Sequence, residues 1–428
     1  MKLRIEKAIY GGNGLARMTE GEQAGKAVFV PFTLPGEVVD AVVRASKKGF
    51  AEAELLAVVE PAPERVAGLC RHFGVCGGCQ YQHAAYEAQL AMKRGILRET
   101  MERAGVRQLP EIAVHAAEPW HYRNRIRLRC ENNRLGYNRR GSHVFLPIAE
   151  CPIAAPLLWQ AAQALMGLPL EGVAEVELFT DASESALQLT LLAVKPIATQ
   201  RLARLCEALQ SKMPQLIGAS VVQADRDQRG HRGQPDESVE GHVAAQWGEP
   251  SLPYTAAAQI YRVQAGGFFQ VNRFLIDTMV SLVTAQRSGQ HAWDLYAGAG
   301  LFTAALMQHF AQVTAVEIGE ASFRELSSLV TLPHRALRAT TAEFLRRGKL
   351  QAPDLVVVDP PRAGLGQEVV ERLGALGTPR IVYVSCDPAT FSRDAAGLLQ
   401  SGYTLAELHL VDMFPQTFHL ETVAVFER

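Results

Sequence analysis

Between residues 291 and 385 the chain repeats one pattern, a short β-branched apolar run that stops on a polar residue beside glycine or proline. The runs are His291-Ala-Trp-Asp294-Leu-Tyr296 before Ala-Gly298-Ala-Gly300, Val313-Thr-Ala-Val-Glu317, Asp354-Leu-Val-Val-Val-Asp359 before Pro-Pro-Arg362, and Arg380-Ile-Val-Tyr-Val-Ser385 before Cys386-Asp-Pro. Near-continuous apolar runs of this length read as buried parallel strands, and Leu301 to His309 between the first two reads as a helix. The pattern predicts a doubly wound α/β sheet with right-handed crossovers. Ligands of such sheets bind beyond the carboxyl ends of the strands, which is where Asp294, Glu317, Asp359 and Cys386 fall.

Gly298 and Gly300 after an acidic strand let the backbone approach a ligand, and Glu317, about twenty residues on, suits ribose hydroxyls. The third glycine of a pyrophosphate fingerprint is missing, since Leu301, Phe302 and Thr303 follow. S-adenosylmethionine, which has no pyrophosphate, fits better than a dinucleotide. Asp-Pro-Pro followed by an aromatic would point to methylation of an adenine amino group; here Arg362 stands in that place and a cysteine ends the next strand, which points to carbon. C5 of uracil is a poor nucleophile until a thiolate adds to C6 and moves negative charge to C5 and O4. A thiolate of modestly lowered pKa suits that step because it is soft and can leave again. A base must then remove the C5 proton, and Glu421 opens the last strand at a position able to face the same cleft. A lone cysteine is more often a buried filler and a lone C-terminal carboxylate more often surface, so the weight lies on the combination.

At 428 residues the chain suggests two or three domains. Lys plus Arg (43) balances Asp plus Glu (44), so a nucleic-acid partner must show as a local patch. One occurs at His121-Tyr-Arg-Asn-Arg-Ile-Arg-Leu-Arg-Cys130: as a strand, Arg123, Arg125, Arg127 and Arg129 share one face while Ile126 and Leu128 face a core. Glu131 is the only acid between Trp120 and Arg140. Residues 1–60 alternate short β patterns with glycine turns and read as a small barrel, and Pro61-Ala-Pro-Glu-Arg reads as a linker. Cys70, Cys76 and Cys79 crowd one loop, with Cys151 before a proline as the natural fourth ligand; spacing does not separate four-thiolate zinc from a 4Fe–4S cluster. Cys130 and Cys206 lie in strand and helix patterns and read as fillers. Tyr86 to Gly105 reads as a helix that braces the cysteine loop, and Asp225 to Glu240 as a mobile surface loop. The N-terminus lacks the apolar centre of a signal peptide and no apolar run reaches spanning length, so a soluble cytoplasmic protein is expected.

These motifs together resemble the RNA uracil-5 methyltransferases of the TrmA and RlmD group, and most the RlmD branch. The resemblance covers the barrel, Cys-x5-Cys-x2-Cys with the later Cys-Pro, Tyr-Arg-Asn, Phe-Gln-Val-Asn, Asp-Leu-Tyr-x-Gly-x-Gly, Asp-Pro-Pro-Arg, Ser-Cys-Asp-Pro-Ala-Thr and the terminal His-Leu-Glu. It implies a TRAM barrel of OB-like form over 1–60, a central α+β domain with an iron–sulfur loop and basic strand over 61–265, and a Rossmann-like class I methyltransferase domain over 266–428. It implies Cys386 as nucleophile and Glu421 as base, with Gln270, Tyr296, Gly298, Gly300, Leu301 (through its backbone), Glu317, Thr340 or Thr341, and Asp359 about S-adenosylmethionine. Cys70, Cys76, Cys79 and Cys151 would hold the 4Fe–4S cluster, and Arg123, Arg125, Arg127, Arg129 and Arg362 would meet RNA. The implied target is a uridine of 23S ribosomal RNA, acted on by a monomer. The transfer RNA T-loop is the alternative target, against which barrel and cluster weigh. A non-catalytic ribosome-assembly factor is the alternative of another class.

Overall fold

The computed structural model describes residues 1–20, 23–223, 242–284, 287–348 and 350–428; the segment 225–240 lies outside the described residues. Strands Lys2–Ile9, Asn13–Arg17, Ala27–Pro31, Val38–Ser46 and Phe50–Glu60 close into a barrel, with the fifth strand lying between the third and the fourth. Period-two alternation turns Leu3, Ile5, Val28, Val30, Val39, Ala41 and Ala51 inward, which gives the small domain its own core.

The central part is a seven-stranded sheet in the order His242–Gly248, Leu216–Gln223, Leu187–Ala193, Val173–Thr180, Arg125–Glu131, Arg134–Asn138, Phe145–Pro147. Helices Pro156–Leu165 and Thr199–Gln210 pack against it, and Ile126, Leu128, Leu178 and Leu189 fill the space between. Cys130 and Cys206 are buried in this core as fillers.

The C-terminal sheet has eight strands in the order Arg335–Arg338, Phe310–Glu317, Gly289–Leu295, Leu355–Val358, Arg380–Ser385, Glu421–Glu427, Thr404–Val411, Ile112–His115. All pairings are parallel except those of Glu421–Glu427, which runs antiparallel to both neighbours. The order reverses direction beside Gly289–Leu295, and that switch point opens the ligand crevice.

The barrel ends at Glu60, where the sequence suggested, but the segment 61–265 does not form one unit by itself. Strand Ile112–His115 pairs with Thr404–Val411 in the C-terminal sheet, and helix Tyr86–Arg103 buries Ile96, Leu97 and Met101 in the core of that sheet. That helix braces the catalytic unit rather than the cysteine loop. Lys93 is fully buried on it, and its Nζ donates to Asp412 Oδ1 at 2.6 Å and to the Phe414 carbonyl at 2.9 Å. The Tyr86 hydroxyl donates to the other oxygen of Asp412 at 2.8 Å. A buried charge that loses its partner costs about 3–5 kcal/mol, so this triad pins the segment 412–417 firmly. The hairpin Ser251–Ala256 and Gln259–Gln264 also joins the catalytic side, packing Tyr254, Tyr261 and Val263 with Met279 and Phe302. Among the described residues no helix is long and apolar enough to cross a membrane.

Candidate active site

At the end of strand Gly289–Leu295, Tyr296, Gly298 and Gly300 all adopt positive φ (65°, 55° and 94°). Gly298 has open space where a Cβ would stand, whereas a Cβ on Gly300 would lie 2.7 Å from Leu329. One glycine therefore serves the tight turn and the other close packing on helix Glu320–Leu329. The Gly298 N–H donates to Glu317 Oε2 at 2.9 Å, and Glu317 also accepts from the Gly319 N–H at 2.5 Å, so backbone donors fix this carboxylate beside the turn. Asp294 is fully buried; one carboxyl oxygen accepts from the Thr303 hydroxyl at 2.5 Å and the other has no hydrogen-bond partner among the described residues. Leu301 starts the next helix, and its carbonyl accepts from the Tyr261 hydroxyl at 3.0 Å. Thr341 is buried beside Tyr296. Thr340 is exposed and caps the helix Thr341–Leu345 in a reciprocal bond with Glu343, so of the two threonines it alone faces outward at this rim. Gln270 is buried on the segment that Asn124 grips through the Gln270 carbonyl at 2.9 Å.

Cys386 follows strand Arg380–Ser385, and Ser385 lies opposite Thr422, so the thiol and Glu421 meet across the antiparallel pair. Asp359, at the end of the neighbouring parallel strand, completes the group, with Arg362 and Asp387 close by. Asp387 Oδ1 accepts from the N–H groups of Ala389 (3.0 Å) and Thr390 (2.9 Å), capping helix Pro388–Gln400 at the residue after the thiol. The Thr390 hydroxyl donates to the Arg362 carbonyl at 2.9 Å and ties the two strand-end loops together. Burial pushes Asp294 and Asp359 up to about 7, and Asp294 adds to the rise of Asp359. Burial, then Asp359, holds Glu421 well above the carboxylate range against the pull of Arg362.

Cys386 itself goes up to about 12, through burial first and then through Glu421 and Asp359. The modestly lowered pKa expected from the sequence is therefore corrected: among three carboxyl groups a thiolate is disfavoured. Alkylation of Cys386 by iodoacetamide, followed at its own peptide by mass spectrometry, is expected to be slow at pH 7. It should rise roughly tenfold per pH unit from there to pH 10. A plateau near pH 8 would contradict this reading of the cleft.

The basic strand is also corrected. Ile126 and Leu128 face the core as predicted, but the neighbouring strand Val173–Thr180 sets Glu175 opposite Arg129 and Glu177 opposite Arg127. Arg127 binds Glu177 at 3.0 Å, and Arg129 pairs with Glu131 and with Asn138 at 2.6 Å. Arg125 is buried, donates to the Gly267 carbonyl and stacks on Phe179 at 4.4 Å, which makes it a structural residue rather than a phosphate ligand. Arg362 is exposed at the catalytic cleft.

Arg123, Arg127, Arg129 and Arg139 instead line one cavity of about 610 Å³ together with Cys70, Cys76, Cys79 and Cys151. Burial raises all four thiols, Cys151 up to about 11, so they ionise only against a cationic group. The Gly78 N–H donates to Cys76 Sγ at 3.4 Å, and the Tyr137 hydroxyl lies 3.9 Å from Cys151 Sγ. Among the described residues no three His, Cys, Asp or Glu side chains converge closely enough for one metal ion. The four thiols nonetheless share the lining of that one cavity, a soft donor set of the kind that takes transition metals. One residue near the thiol had no sequence signal beyond a glycine-rich turn: Tyr10 of the barrel reaches Asp387.

The TRAM domain pattern matches residues 1–56 and that of the tRNA (Uracil-5-)-methyltransferase family matches residues 346–428. A 23S rRNA (uracil(1939)-C(5))-methyltransferase RlmD of Halomonas elongata is 33% identical over 100% of this chain and 89% of its own. Another of that name, from Alkalilimnicola ehrlichii, is 32% identical over 100% of this chain and 96% of its own. The crystal structure of the Pyrococcus abyssi tRNA (uracil-54, C5)-methyltransferase in complex with S-adenosyl-L-homocysteine matches 100% of both chains with a TM-score of 0.78 at 22% identity. Similarity of this extent, on a chain whose thiol, acids and glycine turn meet at one crevice, shows that the protein belongs to the TrmA/RlmD-type RNA uracil-5-methyltransferases.

Proposed function

We propose that the enzyme methylates C5 of one uridine in 23S ribosomal RNA, with S-adenosylmethionine as donor, through a covalent bond between Cys386 and C6. The observation that carries this reading is the placement of Cys386 against Glu421 and beside Asp359, beyond the same strand ends as the Asp294–Gly300 turn. S-adenosylmethionine supplies an electrophilic methyl group on a sulfonium cation. The buried acids Asp294 and Asp359 and the unpartnered oxygen of Asp294 suit a cationic ligand, and Glu317 suits its ribose.

The Cys386 thiol loses its proton to water as sulfur adds to C6, and the electron pair of the C5–C6 double bond moves to C5 and O4. C5 then takes the methyl group. Glu421, as carboxylate, accepts the C5 proton, the C6–S bond breaks, and the thiolate returns. A carboxylate whose pKa burial has raised is a stronger base for this step. In sum one C–H becomes one C–CH3 and one proton is released.

The cavity arginines Arg123, Arg127, Arg129 and Arg139 suit RNA phosphates along the approach to this cleft. Cys70, Cys76, Cys79 and Cys151 would hold a 4Fe–4S cluster as a covalent clasp between the barrel-proximal loop and the central sheet. Methyl transfer moves no net electrons, so the clasp serves shape. Iron and sulfide analysis of anaerobically purified protein is expected to give about four of each per chain; stoichiometric zinc without iron would overturn it.

The target is tested by incubating labelled S-adenosylmethionine with 23S, 16S and transfer RNA from cells lacking the gene. Label is expected in 23S RNA alone. Transfer RNA is the informative rival, because the whole-chain fold match is to an enzyme named for it. The barrel therefore does not separate the two targets, and label in transfer RNA would move the substrate while leaving the chemistry in place.

A further inference from the structure

The loop 412–420 joins strands Thr404–Val411 and Glu421–Glu427, and its neck is the pair Val411 and Glu421, which lie opposite each other across the two strands. Whatever fixes this loop therefore fixes the direction from which Glu421 enters the cleft. The side chains that hold it come from helix Tyr86–Arg103, which the chemistry of the cleft does not otherwise use.

On one side of the loop the grip is the buried ion pair: Lys93 and Tyr86 bind the two oxygens of Asp412, the residue after Val411. On the other side it is a pair of amides. Gln89 is fully buried; its Nε2 donates to Gln416 Oε1 at 3.0 Å and to the Ala84 carbonyl at 2.9 Å, while its Oε1 accepts from the Gln416 N–H at 3.0 Å. Gln416 sits at a φ of 68°, and its carbonyl accepts from the N–H groups of Gln80 and Tyr81, both at 2.9 Å. Few residues with a side chain hold that conformation, and here the N–H, the carbonyl and the side-chain oxygen are all tied down to keep it. From Gln416 the order passes along the chain to the carboxylate. The Thr417 hydroxyl donates to the Phe414 carbonyl at 2.9 Å and accepts from the His419 N–H at 3.3 Å. The Phe418 ring lies on His419 at 4.2 Å, and Leu420 is buried directly before Glu421.

We propose that Gln89 is a positioning residue for proton abstraction: through Gln416 it sets the loop that presents Glu421, so its loss slows release of the methylated adduct and leaves methyl transfer itself alone. This deepens the reading of Glu421 as base and rests on it. A base must meet its proton within hydrogen-bond reach, and a displacement of about 1 Å can cost on the order of a hundredfold. Methyl transfer depends instead on Cys386, carried by strand Arg380–Ser385 and the cap at Asp387, whereas the amide of Gln89 is occupied by Ala84 and Gln416.

The test is Gln89→Met in the full chain, which keeps the buried volume and removes both bonds to Gln416. In a single turnover with ordinary uridine RNA and labelled S-adenosylmethionine, label is expected to reach the protein–RNA complex at the wild-type rate within about twofold, and then to leave it roughly tenfold more slowly. The ratio of the two rates is read only on chains that fold and bind, so partial misfolding does not move it. Tyr86→Phe, a milder change that removes one bond to Asp412, should slow release in the same sense by about threefold and carries the test should Gln89→Met fail to fold. In a Glu421→Gln background Gln89→Met should slow release no further. Release at the wild-type rate in Gln89→Met would overturn the proposal, as would methyl transfer slowed as much as release, which would mark a general fault of packing. If Glu421→Gln itself traps no labelled complex, the reading of Glu421 as base falls whatever Gln89→Met does.

Discussion

Replacing Cys386 by alanine is expected to bring methyl transfer below detection, a loss of at least about 10⁴-fold. The covalent complex with 5-fluorouridine RNA should disappear from denaturing gels at the same time. The size of the effect follows from the chemistry, because without sulfur on C6 the ring carbon has no electron pair to offer the sulfonium methyl. The fold should survive. Cys386 is half-buried at a strand end, and the helix after it is capped by Asp387 rather than by the thiol. Binding of S-adenosylmethionine by the variant, measured by calorimetry, is the control, since the glycine turn and Glu317 are untouched. Measurable turnover in that folded variant would end the covalent mechanism.

The second large effect is expected at Glu421→Gln. The amide keeps the shape of a buried side chain but cannot take the C5 proton, so the methylated adduct should form and then stall. Ordinary uridine RNA incubated with labelled S-adenosylmethionine should therefore leave label on a protein–RNA complex, with kcat reduced by about 10²–10⁴-fold. Cys386 offers a companion readout. Glu421 is the largest cause after burial of the raised thiol pKa, so its neutral replacement should lower that pKa and speed alkylation of Cys386 at pH 8. A variant with full turnover and no trapped complex would assign the base elsewhere, with Asp359 the nearest candidate.

What could be read from the sequence was what local pattern encodes. The parallel strands announced themselves as apolar runs, and the polar residues that stop them had to gather at one edge of a sheet, so Asp294, Glu317, Asp359 and Cys386 were found together. Four of the barrel's five strands were legible as short β runs, while Asn13–Arg17 was hidden in what reads as a glycine turn. Arg125 and Arg127 misled because the acid that answers them, Glu177, comes from a strand some fifty residues on, where no window joins the two. The sign of the Cys386 shift was missed because burial and Glu421 act only once the chain has folded. Strand Ile112–His115 is too short to show a period, and its place beside Thr404–Val411 is a long-range pairing that no local propensity announces.

That short strand, with the last one, governs how the enzyme is made. Ile112–His115 leaves the ribosome early and must stay unpaired until Thr404–Val411 exists, while Glu421–Glu427, synthesised later than both its neighbours, threads between them and brings Glu421 with it. The C-terminal sheet is therefore sealed only once residues 421–427 have been made. A prematurely terminated chain, whatever RNA it still grips, carries no finished chemistry to misapply.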